Sequence, residues 1–83
     1  MKVLYFAWVR ERIGVTEEDV TLPDSVATVD DLVTWLKGRG PEYEYALSEP
    51  SVIRVAVDQV HVQRNAPVAG ASEVALFPPM TGG

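Results

Sequence analysis

The 83 residues carry seven Lys and Arg against twelve Asp and Glu, a formal charge of -5 at pH 7, with 47% hydrophobic residues and no cysteine. That length fits one small domain, the acidic balance argues against phosphate-directed nucleic-acid binding, and the lack of cysteine excludes disulfides and thiolate chemistry. No apolar run approaches the roughly 20 residues that span a bilayer and no basic, then apolar, leader opens the chain, so a cytoplasmic protein without membrane contact is expected.

Residues Lys2 to Val9 (KVLYFAWV) are apolar on both alternating faces and read as one strand buried on two sides, or on one side and a partner. A charged segment, Arg10 to Arg12, then leads to Gly14, which closes a turn or a single helical turn. Val15 to Leu22 reads as a second strand, stopped by Pro23-Asp24 and pairing with the first as a hairpin. Val29, Leu32, Val33 and Leu36 then repeat at i, i+3, i+4, i+7, the spacing of a helix that covers a sheet. Thr28 and Asp31 resemble a capping box at its start, and Gly38, Gly40 and Pro41 stop it. Pro41 to Leu47 reads as a second, short helix with Tyr43 and Leu47 on one side.

Val52 to Val57 is rich in β-branched residues and reads as a strand. Asp58-Gln59 separates it from Val60 to Gln63 as a hairpin turn of unassigned type. Residues 65–72 have loop composition, and Glu73 to Phe77 form a last strand. Two hairpins flanking an amphipathic helix imply an α+β unit, a mixed sheet of about five strands packed on one main helix plus a short second helix. Strongly apolar first and last strands suit the sheet centre, side by side and parallel, which is the ubiquitin-like β-grasp arrangement. The expected division is a β-grasp domain over 1–77 and an extended tail over 78–83.

The domain body offers little chemistry. Its one histidine, His61, sits between two valines and reads as a surface or structural residue, and no serine stands in a nucleophile elbow. Glu17-Glu18 and Asp30-Asp31 are paired carboxylates, but beside exposed turns nothing is expected to move their pKa values apart. Seven of the twelve acidic residues lie between Glu11 and Asp31, as a solvated face or a docking surface. Metal-ligand spacings and phosphate-cradling glycine loops are missing from the sequence.

What remains is the ending, LFPPMTGG. A terminal carboxylate can be activated as an acyl adenylate without breaking a peptide bond, and Gly82 and Gly83, after Thr81, put no side chain in the way of an enzyme channel. Pro78 and Pro79 disfavour helix and stiffen the arm, and Pro78 cannot donate to a sheet ladder. By itself Gly-Gly is also what a frayed end looks like.

The stretches VLYFAWVRERIG and EVALFPPMTGG, with TVDDLVTWLKGRG and VIRVAVD between them, resemble the small subunits of molybdopterin synthase, a family of sulfur-carrier proteins of molybdenum cofactor biosynthesis. The resemblance implies that Gly83 is adenylated, at the expense of ATP, by an enzyme like the ubiquitin activators. Gly83 then becomes a thiocarboxylate whose sulfur reaches a cyclic pyranopterin phosphate in the large synthase subunit. It implies a non-catalytic subunit that binds no cofactor as a free domain, and a heterotetramer with the large subunit. Phe6, Trp8, Phe77, Pro78, Pro79 and Met80 would form an apolar docking patch, with Phe6 and Phe77 alternatively sharing the core. Arg10, with Glu11 and Arg12, matches the family's charged segment, where contact with the activating enzyme is implied. Other readings are a carrier for thiamine or tRNA thiolation, a ubiquitin-like modifier, or a passive interaction module.

Overall fold

A computed structural model describes residues 1–79 of the chain. Five strands form one mixed sheet in the order β2-β1-β5-β3-β4, with β1 at Lys2–Tyr5, β2 at Glu17–Asp19, β3 at Arg54–Val57, β4 at Val60–Val62 and β5 at Glu73–Phe77. The first and last strands run parallel at the centre, Lys2 opposite Glu73 through Tyr5 opposite Leu76, and antiparallel β2 and β3 flank them. The central pairing is the one expected from the two apolar ends of the sequence.

The main helix, α2 (Val29–Lys37), buries Val29, Leu32, Val33 and Leu36, the stripe its spacing predicts. Its start is a complete capping box: the Asp31 N–H donates to Thr28 Oγ1 at 3.2 Å and the Thr28 N–H donates to Asp31 Oδ2 at 3.1 Å. The next orphan donors find backbone partners in the 64–68 segment, Val29 N–H to the Ala66 carbonyl and Asp30 N–H to that of Arg64, both 2.9 Å. A short helix, α3 (Pro41–Ala46), follows with proline at its first turn. The inner sheet face supplies Val3, Tyr5, Val55, Val74 and Leu76 to a core closed by Val9, Ala46, Leu47 and Val68.

Four expectations need correction. The strand that begins at Lys2 ends at Tyr5, and Ala7–Ile13 form a helix, α1, in place of strand residues 7–9 and the single turn allowed for. The parallel partner explains the stop: Tyr5 pairs with Leu76, the Phe6 N–H still donates to the Leu76 carbonyl, and beyond Phe77 the partner is Pro78-Pro79, which has no N–H to offer. Ala7, at φ 52, turns the corner, and the helix then buries Val9 and Ile13 at i, i+4 before Gly14 caps it at φ 96. The second strand shortens to Glu17–Asp19, with Val20 buried just past its end. Pro50–Val52 is a turn of 3₁₀ helix, so β3 begins at Arg54 and not at Val52, and β4 ends at Val62.

The β3–β4 turn places Asp58 and Gln59 at φ 48 and 70, the two positive values of a type I′ hairpin. The Asp58 carboxylate also accepts the N–H groups of Ser72 and Glu73, both at 3.0 Å, which pins the start of β5 to the turn.

Candidate functional site

Side chains of β5 alternate, so Val74 and Leu76 point into the core and Phe77 does not. At the end of β5 Phe77 meets the corner between β1 and α1. Phe6, Trp8 and Val52 stand there with Phe77, Pro78 and Pro79 around an apolar groove of about 640 Å³, Ala7 completing the wall. Phe6 remains 44% exposed and lies outside the core cluster, so the shared-core alternative for Phe6 and Phe77 does not hold. Trp8 packs partly on the core and partly on the groove. The Phe77 ring is also covered on one side by His61, centroids 5.2 Å apart, which leaves that histidine a surface packing role. Large apolar side chains held open around a cleft are what a docking site needs, since a monomer gains nothing by exposing them.

Of the residues singled out from the sequence, the fold thus brings Phe6, Trp8, Phe77, Pro78 and Pro79 together. Arg10 is exposed on α1 and does not line the groove. Met80, Thr81, Gly82 and Gly83 lie outside the described residues.

Two features were missed. Glu18 does not stand beside an exposed turn: its Oε2 accepts the hydroxyls of Tyr5 and Tyr43, each at 2.7 Å, and its Oε1 accepts Arg39 Nη1 at 2.8 Å. Burial opposes its charge, but these three donors outweigh that and hold its pKa below the ordinary carboxylate value, against the expectation of unshifted pairs. Burial first, and then the bond to Glu18, pushes the Tyr5 hydroxyl upward, and the same two causes raise Tyr43. Asp31 is likewise lowered, by the N–H groups of Ala27 and Thr28. The Glu18 cluster is saturated and ties α3 and the α2–α3 loop to β2, so it reads as structure and not as a reaction centre. No buried side-chain donor or acceptor among the described residues lacks a partner.

The second is Arg12, whose guanidinium centre lies 4.4 Å from the ring centroids of both Trp8 and Tyr45. Trp8 and Arg12 stand at i, i+4, a helical signal hidden while residues 7–9 read as strand. Among the described residues no group of three or more His, Cys, Asp or Glu side chains is placed to hold a metal ion.

Residues 3–83 match the ThiS family. The molybdopterin synthase sulfur carrier subunit of Haemophilus influenzae is 35% identical over 83 residues, covering all of this chain and 99% of its own. A Pyrococcus furiosus structure assigned to molybdopterin converting factor subunit 1 superposes with a TM-score of 0.75 at 31% identity, covering 94% of each chain. SAMP1 of Haloferax volcanii superposes at 0.74 with 28% identity over all of this chain and 98% of that one.

Proposed function

The chain belongs to the ThiS family, and from that premise we propose that it is the sulfur carrier subunit of a molybdopterin synthase, working as a protein co-substrate and not as a catalyst by itself. The observation that carries the reading is the position of the apolar groove: it opens where β5 ends, so a partner seated on Phe6, Trp8 and Phe77 receives the chain that follows Pro79. Pro78 and Pro79 start that 78–83 arm, Met80 continues its apolar sequence, and after Thr81 the glycines 82 and 83 offer a slim end to a narrow channel.

In this reading a Gly83 carboxylate oxygen attacks the α-phosphate of ATP in an adenylating enzyme of the ubiquitin-activator type and releases pyrophosphate. A sulfide-level sulfur (hydrosulfide) from a donor then attacks the acyl carbon and displaces AMP, leaving a thiocarboxylate with no change of oxidation state. The large synthase subunit takes the tail into its active site, where the sulfur, a better nucleophile than a carboxylate oxygen, bonds to a carbon of a cyclic pyranopterin phosphate with loss of an oxygen substituent there. Water then cleaves the acyl–sulfur bond and restores the Gly83 carboxylate. Acid-base groups come from the large subunit, consistent with the sparse chemistry of this domain. Arg10 is assigned to contact with the activating enzyme, the complete synthase is a heterotetramer, and the site of action is the cytoplasm.

Incubation with an adenylating enzyme, ATP and a sulfur donor should exchange one oxygen for sulfur at Gly83, read as intact mass, and a chain ending at Thr81 should give no exchange. No exchange in the full chain would sink the carrier reading. The likeness to SAMP1, a protein described as a small archaeal modifier, favours one second reading, isopeptide attachment of Gly83 to target lysines. Conjugates stable on reducing gels would support it.

A further inference from the structure

Helix α3 carries Tyr43 and Tyr45 two positions apart, and therefore on opposite sides, where each meets an arginine. Arg39 lies 5.1 Å from the Tyr43 ring and 5.2 Å from the Trp35 ring, and its in-plane N–H edge is closed by Glu18 at 2.8 Å. Arg12 repeats the arrangement between Tyr45 and Trp8, with the rings closer, at 4.4 Å. The fourth member is absent. Among the described residues no carboxylate comes within ion-pairing distance of Arg12 and its side chain donates no hydrogen bond, although Glu49 borders the same recess. Two rings over a guanidinium attract it without neutralising it, and they leave the fork of coplanar donors that suits a carboxylate.

The open edge is next to the docking groove. The recess at Arg12 shares Trp8 and Val52 with it, so one partner surface spans both. We propose that Arg12 determines partner specificity by receiving an Asp or Glu carboxylate of the large synthase subunit, beside an apolar side chain seated in the groove. The inference rests on the docking reading given above. Charge supports it: a chain of net charge -5 calls for a partner that is basic on the whole, and a single acid placed against a single fixed cation then sets the register of docking. Because the two rings already hold Arg12, little further rotamer freedom is lost when the carboxylate arrives.

Binding to the large synthase subunit, measured by calorimetry at low and high salt, tests this. Arg12→Gln keeps the aliphatic stem over Trp8 and should weaken binding about tenfold while flattening its salt dependence; Arg12→Glu should weaken it about 100-fold. One Asp→Arg or Glu→Arg change on the large subunit should restore binding to Arg12→Glu, an outcome that a packing role for Arg12 does not produce. If both Arg12 variants bind within about twofold of the parent while Phe77→Ala binds poorly, the specificity proposal is overturned and the docking reading stands. If Phe77→Ala also binds like the parent, the docking reading itself fails and the proposal goes with it. Melting curves of the same samples tell binding loss from unfolding.

Discussion

Leu76 and Phe77 are neighbours on one strand with opposite fates. Leu76 is fully buried beneath the helices, paired in register with Tyr5, whereas Phe77 turns to the outside and walls a cleft with Phe6 and Trp8. A similar division separates the two arginines of the α3 faces, one closed by Glu18 and the other open. One side of the molecule satisfies its own groups and confers stability; the other leaves an apolar cleft and a cation open, which on the docking reading await a partner. Substitutions on the two sides should therefore fail different assays.

The sharpest break is at the end of the chain. Removing Gly82 and Gly83 should abolish sulfur loading, read by intact mass, while the melting temperature stays that of the parent; a lowered melting temperature would mean that the tail belongs to the stability side. Next, Leu76→Ala should cost about 2–5 kcal/mol of unfolding free energy by loss of burial and creation of a cavity, measured by denaturant titration. Phe77→Ala, one residue on, should cost about 1 kcal/mol or less of stability but about tenfold or more in affinity for the large subunit. Equal stability losses at the two positions would erase the comparison.

Glu18→Gln sharpens the stability side through pH. A carboxyl whose folded pKa is depressed contributes stability above its unfolded value, near 4.5, and loses that contribution as pH falls through the folded value. The parent should lose stability on acidification below about pH 5, and Glu18→Gln, weaker by about 1–3 kcal/mol at neutral pH, should lose less over the same window. At the alkaline end the raised tyrosines act with the opposite sign, their contribution present below pH 10 and declining above it. The smallest effect is at the helix cap, where Thr28→Ala should cost about 1 kcal/mol without touching affinity.

Much of this division was legible in the residues because local rules and tertiary packing agreed. The 29, 32, 33, 36 stripe with Thr28 and Asp31 specifies α2 and its cap, and the apolar ends specify the central parallel pair. Of the groove residues, Phe6, Trp8, Phe77, Pro78 and Pro79 were legible as apolar side chains near the tail root, whereas Ala7 and Val52 read as strand. The α1 segment was not, because Phe6 to Val9 continues an apolar run that suits a strand buried on two sides, and only the absence of donors on the partner beyond Phe77 ends the ladder. Glu18 was not, since a carboxylate in a run of three acids looks solvated until two tyrosines and an arginine, 13 to 25 positions away, converge on it. Arg12 depends on α1, so missing the helix hid the cation as well.

The central pairing of β1 with β5 also has a consequence for timing. Phe6 and Trp8 are 71 and 69 positions before Phe77 in the sequence, so the cleft is absent until the longest loop in the topology has closed. A partner that reads this cleft is testing whether β1 and β5 are paired. By mass action its binding also holds that closure shut, and a copy in which β1 and β5 are apart offers it no seat.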